Sequence, residues 1–319
     1  MAAGLSIAGE AQTPAARTTA TFPGALPQPA ETIDLWPGDA PGMPPQPLTE
    51  TVVERSIDAQ WMDRAITGIS RPRMTVFRPR TPNGAAVLVT PGGGYQRVVI
   101  DKEGFELGHW FAERGCTVFV LFYRLPGEGW AAGPNVALSD AQRAMRLIRN
   151  RAGDYGVDPE RVAAVGFSAG GHLCADLATR FAASTYDPVD HADMFSARPM
   201  LAAPIYPVIS MTLPIAHAGS RELLIGKDAD PDLERAHSPQ RNVPSDAPPF
   251  FLVHAEDDDS VVVENTLEFR AALRAQGIPV ETHLFTHGGH GFGLRNTVGK
   301  PVGVWPELLL SWSHSMGLI

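Results

Sequence analysis

The chain has 319 residues, 44% hydrophobic and 19% charged, with a net charge of −9. That is ample apolar material for a large buried core, and the acidic balance excludes nucleic acid as the main partner, since phosphate backbones are gripped by basic faces. No window holds the run of about eighteen apolar residues that a membrane span needs, and the two cysteines, Cys116 and Cys174, lie in apolar segments that read as buried thiols rather than a disulfide framework.

Residues 1–32 read as a flexible leader. MAAGLSIAGEAQTPAARTTATFPG is small and polar, and Gly9-Glu10-Ala11 puts small residues at the two positions a signal peptidase reads. A charged n-region and most of an apolar h-region are missing, so the segment reads as the tail of an export signal, which favours a periplasmic or secreted protein. Prolines continue to residue 50 (LPQPAETIDLWPGDAPGMPPQP) and predict irregular chain laid over a surface. From residue 33 to 319 the pattern is that of one α/β domain.

TVVERSI (51–57) and RMTVFRP (73–79) read as antiparallel strands at one edge of a sheet. AAVLVT (85–90) and CTVFVLFY (116–123) are continuous apolar runs, the mark of strands buried on both faces. Between them FELGHWFAER (105–114) is helical, with Leu107 and Phe111 four apart and Gly115 as the stop. LSDAQRAMRLIRN (138–150) carries one apolar stripe of Leu138, Ala141, Met145 and Ile148. RVAAVGF (161–167), PMLAAPIYP (199–207), FFLVHA (250–255) and VETHLF (280–285) read as further strands, with helices after residue 167, near 263–276 and at 305–316. Strand–helix alternation of this kind predicts a mainly parallel sheet covered on both faces. Residues 181–248 break the rhythm and read as an insertion over the binding edge.

Gly166-Phe167-Ser168-Ala169-Gly170 matches G-x-S-x-G, directly after a buried strand and directly before a helix. In that setting the serine sits in a strained bend, the glycines let strand and helix approach, and the hydroxyl rises above the carboxyl ends of the strands. A serine hydroxyl needs a base held by an acid. FFLVHAEDDDSVVV supplies acids after one strand and FTHGGHGFG a histidine after the next, on the edge where open parallel sheets place their sites. Asp258 stands four residues after the strand-end His254 and three before Val261, the usual place of the acid; Asp257 is the fallback, and Asp259 reads as solvated or capping. His290, between Gly289 and Gly291, is preferred over His287 as the base. His172, one turn past the serine, reads as a buttress. The glycines of Thr90-Pro91-Gly92-Gly93-Gly94-Tyr95 could bring backbone N–H groups to a developing oxyanion, and a phosphate loop is disfavoured because no G-K-[ST] ending follows.

Four elements, P-G-G-G-Y, G-F-S-A-G-G-H, H-A-x-D-D-x-x-V and G-G-H-G-F-G, occur in the order seen in the α/β-hydrolase superfamily. Over about residues 33–316 the chain resembles its carbohydrate-esterase and acetyl-xylan-esterase branch, related to feruloyl-esterase-like and hormone-sensitive-lipase-like groups; IDLWPGDAPG (33–42) is similar to a leader of those esterases. The resemblance implies Ser168 as nucleophile, Asp258 as acid, His290 as base, and Gly93, Gly94 and Ala169 as oxyanion donors. It implies hydrolysis of short acyl esters, such as acetyl groups on xylan, with no metal or cofactor, and a small-molecule or polysaccharide ester as partner. Pro91 stands where the lipase-like group has histidine, which makes a lipid-esterase assignment less safe and leaves a lipase-like esterase as the alternative. A peptidase on this sheet usually carries a large extra domain, for which the chain has no room, and a non-catalytic module would have lost Ser, His or acid. Trp36, Trp61 and Trp130 are candidates for stacking a sugar ring, although burial explains any one of them. The oligomeric state is not legible.

Overall fold

The computed structural model describes residues 28–29, 31–58 and 60–319; most of the leader, including Gly9-Glu10-Ala11, lies outside them. In chain order the elements are β1 (Glu31–Asp34), β2 (Thr51–Glu54), β3 (Arg64–Thr67), β4 (Arg73–Phe77), β5 (Gly84–Thr90), β6 (Val98–Val99), α1 (Glu106–Ala112), β7 (Thr117–Phe122), α2 (Val136–Asn150), β8 (Val157–Phe167), α3 (Ser168–Thr179), β9 (Ala202–Ile205), α4 (Ala218–Ile225), α5 (Pro231–Ala236), β10 (Phe250–Ala255), α6 (Glu264–Ala275), β11 (Val280–Phe285) and α7 (Trp305–Ser315).

One sheet runs β1-β4-β7-β5-β8-β9-β10-β11. β1, β4 and β7 pair antiparallel, and from β7 to β11 every pairing is parallel. This is the α/β-hydrolase sheet, and its order explains the sequence pattern. Central strands β5, β7 and β10 are buried almost throughout, so both faces select apolar residues. β11 closes the edge and mixes exposed with half-buried positions. On α2 the expected stripe of Leu138, Ala141, Met145 and Ile148 is buried. Gly115, at φ +88°, ends the turn after α1 as expected.

One pairing differs from the sequence reading. Residues 51–57 and 73–79 are not neighbours at one edge: β4 lies in the main sheet, whereas β2 joins β3 and β6 in a separate three-stranded antiparallel sheet. β6 follows the glycine turn at 92–94 after three residues, and the Val99 N–H donates to the Gly92 carbonyl (2.9 Å), which anchors the small sheet to that turn. No helix among the described residues is long and apolar enough to cross a membrane. Cys116 and Cys174 are buried and free.

Residues 181–248 do two jobs. The first part packs on α2, where the Arg143 guanidinium donates to Asp190 and Asp193 and Arg146 to the Tyr186 hydroxyl. The chain then re-enters the sheet as β9. Only after β9 does it pass over the carboxyl edge, where α4 brings Ser220 beside Gly94. Residues 33–42 are tied down on the same helix: the Trp36 indole N–H donates to Asp140 (3.0 Å), and Arg143 donates to the Leu35 carbonyl (2.9 Å). Asp140 also holds the buried Arg124 guanidinium at the end of β7.

Candidate functional site

Ser168 sits where β8 becomes α3, at φ +53°, a conformation costing a non-glycine residue about 1–3 kcal/mol. The bend exists because its flanks are bare. A Cβ on Gly166 would lie 2.2 Å from the Gly170 carbonyl oxygen, and one on Gly170 would lie 2.2 Å from the Thr90 carbonyl oxygen. The Thr90 hydroxyl donates to the Gly170 carbonyl (2.8 Å), lacing the turn to the end of β5.

Three side chains that are far apart in sequence meet above this edge. Ser168 Oγ lies 2.9 Å from His290 Nε2, and His290 Nδ1 lies 2.7 Å from Asp258 Oδ2. The consistent proton arrangement has the hydroxyl donating to Nε2 and Nδ1–H donating to the carboxylate. Asp258 is buried, yet its other oxygen accepts the N–H groups of Ser260 (3.0 Å) and Val261 (2.8 Å). Burial pushes its pKa up, but the hydrogen bonds from His254 and His290, the His290 charge and the Val261 N–H outweigh that, and the group ends well below the usual carboxylate range. Such an acid stays ionised and fixes the imidazole's tautomer.

His254 explains the spacing that singled out Asp258. Buried at the end of β10, it turns Nε2 to the Val261 carbonyl (2.9 Å) and Asp258 Oδ2 (3.2 Å), closing the acid-bearing turn on itself. Asp257 faces the other way, accepting the N–H groups of Gly288 and Gly289 (both 2.8 Å) and lying 3.3 Å from the exposed His287. Those two N–H groups hold its carboxyl below the ordinary range. Asp259 is exposed.

Gly93 and Gly94, at φ +134° and +67°, follow Gly92, where a Cβ would lie 3.0 Å from Ser168 Cβ. Among the described residues, neither of their N–H groups has a protein acceptor. A Cβ on Gly93 would lie 2.1 Å from the Arg97 carbonyl oxygen, so only glycine fits there. Ala169 is buried in the first turn of α3, where N–H groups lack intrahelical acceptors and the helix dipole favours negative charge. The Tyr123 hydroxyl donates to the Pro91 carbonyl (2.8 Å), a brace for the turn. His172 is a second brace: its Nδ1 accepts from the Tyr95 hydroxyl (2.7 Å) and its Nε2 donates to the His237 carbonyl (2.8 Å), while burial lowers its pKa and keeps it neutral.

Of the three tryptophans, Trp36 and Trp130 are buried, and Trp61 is half-buried with the Arg295 guanidinium over its ring at 5.3 Å. Three residues that sequence reasoning missed stand around the site: Glu103, Tyr206 and His217. Tyr206 follows a strand at the carboxyl edge, a position that could have flagged it; no local pattern marks the other two. His217 caps α4, with Nδ1 facing the Ser220 N–H (3.2 Å) and hydroxyl (2.8 Å). Burial and then the charge of His290 lower its pKa, against the pull of Asp258, which puts it in electrostatic reach of both.

The arrangement can move a proton from a hydroxyl to an imidazole beside free backbone donors, the machinery of acyl transfer. Comparison with known proteins agrees with that chemistry. A family model described as BD-FAE matches residues 75–273. The chain is 33% identical over 227 residues to an acetylxylan esterase of Xylanibacter ruminicola, covering 70% of this chain and 44% of that protein. It is 35% identical over 210 residues to endo-1,4-beta-xylanase B of Butyrivibrio fibrisolvens, covering 66% of this chain and 33% of that protein. The chain thus spans less than half the length of these two relatives. Among solved structures, an acetyl ester-xyloside bifunctional hydrolase from Caldicellulosiruptor lactoaceticus superposes with a TM-score of 0.76 at 33% identity, covering 91% of this chain and 97% of that one. An esterase from Thermogutta terrifontis shares the fold, with a TM-score of 0.64 at 23% identity over 84% of this chain and 95% of that one.

Proposed function

The chain belongs to the BD-FAE family, and from that premise we propose that it is a serine esterase removing short acyl groups, chiefly acetyl, from carbohydrate such as acetylated xylan. The observation that carries the reading is the relay from Ser168 Oγ through His290 to Asp258, at 2.9 and 2.7 Å, with the nearby N–H groups of Gly93 and Gly94 lacking an acceptor among the described residues. Ser168 attacks the ester carbonyl while His290 Nε2 takes its proton. The carbonyl oxygen becomes an oxyanion held by the N–H groups of Gly93, Gly94 and Ala169. As the C–O bond to the sugar breaks, His290 returns the proton to the departing alkoxide, leaving the acyl group on Ser168. Water, deprotonated by the same imidazole, then releases the carboxylic acid and restores the serine. Asp258 keeps the proton on Nδ1 and stabilises the imidazolium that forms in each half. The acetyl-on-xylan preference draws its support from the names of the Xylanibacter and Caldicellulosiruptor proteins.

The test is a comparison of initial rates on p-nitrophenyl acetate and acetylated xylan for the native chain and Ser168→Ala. The variant is expected to lose on the order of 10⁴-fold or more in kcat and all labelling by a fluorophosphonate. Equal rates for the two proteins would remove the nucleophile. Native activity on the small ester but none on xylan would keep the chemistry and withdraw the substrate.

A further inference from the structure

Among the segments that build the site are three separate loops: the glycine turn after β5, the stretch after β9, and the histidine loop after β11. One carboxylate touches the first two directly and reaches the third through a single hydroxyl. Glu103 lies in a wide helical turn, Asp101–Phe105, just ahead of α1, and is only 4% exposed. Its Oε2 accepts the Gly92 N–H (2.9 Å), and its Oε1 accepts the Tyr206 hydroxyl (3.0 Å). That hydroxyl in turn accepts the Gly293 N–H (3.1 Å). The ring of Tyr206 meets the His290 ring edge-on at 5.2 Å. Burial, and next the charge of Glu103, push the Tyr206 hydroxyl well above its ordinary range, so it stays a donor.

Both ends of this bridge sit against reacting groups. A Cβ on Gly92 would lie 2.6 Å from Glu103 Oε2 and 3.0 Å from Ser168 Cβ, so the first bond pins the residue just before Gly93 against the serine. At the other end, Gly293 closes the loop that holds His290. Tyr206 is also held at φ +37°, a conformation a tyrosine rarely adopts without a reason.

We infer that Glu103 and Tyr206 are positioning residues for the esterase reaction: the carboxylate and the phenol fix the oxyanion turn and the histidine loop relative to one another. The inference rests on the esterase reading above. It concerns geometry required in the transition state, so it predicts loss in kcat rather than in KM. Glutamine keeps the shape of Glu103, but its single oxygen can accept the Gly92 N–H or the Tyr206 hydroxyl, not both. Phenylalanine at 206 keeps the ring against His290 and removes both hydrogen bonds.

The experiment measures kcat and KM on p-nitrophenyl acetate for the native chain, Glu103→Gln, Tyr206→Phe, the double variant and Ser168→Ala. It also measures inhibition by an alkyl trifluoromethyl ketone, whose hemiketal oxygen occupies the oxyanion position. Each single variant should lose roughly tenfold or more in kcat, against about 10²–10³ for loss of an oxyanion donor outright, with KM within about threefold. The inhibition constant should rise in step. Because the two residues form one bridge, the double variant should lose little more than the worse single variant. Singles within about threefold of native kcat, a loss confined to KM, or losses that multiply in the double variant would each overturn the inference while Ser168→Ala stays inactive. An active Ser168→Ala would instead sink the esterase reading, and the inference with it.

Discussion

Replacing Asp258 by asparagine separates the acid from its neighbour Asp257 with almost no change in shape. In the native protein Asp258 Oδ1 accepts two backbone N–H groups, from Ser260 and Val261, and Oδ2 accepts Nδ1–H of His290. An amide offers one oxygen. If that oxygen served His290, its NH₂ would face the buried Val261 N–H and the part-buried Ser260 N–H, and an unsatisfied buried donor costs about 1–3 kcal/mol. The buried Val261 donor alone, about 1–3 kcal/mol, favours the other orientation by a factor of roughly 5 to 150, since about 1.4 kcal/mol is tenfold. The NH₂ then points at His290 Nδ1, which must accept, and the ring proton moves to Nε2. There it faces the Ser168 hydroxyl and the imidazole can no longer take a proton. The expected loss in kcat on p-nitrophenyl acetate is on the order of 10³–10⁴-fold, with KM little changed. Asp257→Asn should stay within about fivefold, because that carboxylate only gathers Gly288, Gly289 and His287 at the surface. An Asp258→Asn enzyme within tenfold of native, or a heavier loss in Asp257→Asn, would refute the assignment.

Two other outcomes follow from the same structure. Gly93→Ala drives a Cβ to 2.1 Å from the Arg97 carbonyl and should cost on the order of 10²-fold in kcat, whereas Gly94→Ala meets only Ser220 Oγ at 3.9 Å and bears mainly the positive-φ penalty of about 1–2 kcal/mol, roughly tenfold; initial rates of the pair check the ranking. Burial, and to a lesser degree Arg180, lower the pKa of His237 from 6.5 to about 4 against the pull of Asp176, so the unfolded chain binds this proton better. Its contribution of roughly 3 kcal/mol is complete above pH 6.5 and is lost as pH falls through 4. Urea unfolding of native and His237→Gln protein at pH 4 to 7 should show their stability difference shrinking by about that amount on acidification, and parallel curves would contradict it.

The central strands were readable because two-sided burial leaves a signal that survives without context. β5, β7 and β10 are short runs rich in Val, Leu and Phe, the composition that a doubly covered sheet asks for. The small sheet was not readable for the opposite reason. β2 is exposed at every position, with Val52 at 54% and Val53 at 50%, so no burial pattern selects its partner. β6 is two residues long, and β1 emerges from a proline-rich stretch; both are strands only because a neighbour is there to pair with. The insertion at 181–248 was legible as a break in rhythm. That its first part pairs Asp190 and Asp193 with Arg143 on α2 depends on contacts nearly fifty residues apart, beyond any local reading.

The site divides along the same line. G-x-S-x-G is informative because its glycines answer clashes at one tight turn, Gly166 against Gly170 within the motif and Gly170 against the end of the neighbouring strand β5. The spacing from His254 to Asp258 to Val261 is informative because those residues bond to each other: the imidazole reaches the carboxylate and the Val261 carbonyl, and the Val261 N–H reaches the carboxylate. A spacing rule of that kind is the footprint of a closed local loop, and it distinguishes adjacent aspartates that composition cannot. Glu103 and Tyr206 have no such footprint. Their partners are each other, across about a hundred residues, and two glycine N–H groups on further loops. A residue whose whole purpose is to hold distant loops in register leaves nothing in its neighbours' identities to read. That also makes it the part of the site most exposed to error in transferring function from motifs: a chain could keep Ser168, Asp258 and His290 intact and still misalign them by losing one carboxylate that no motif contains.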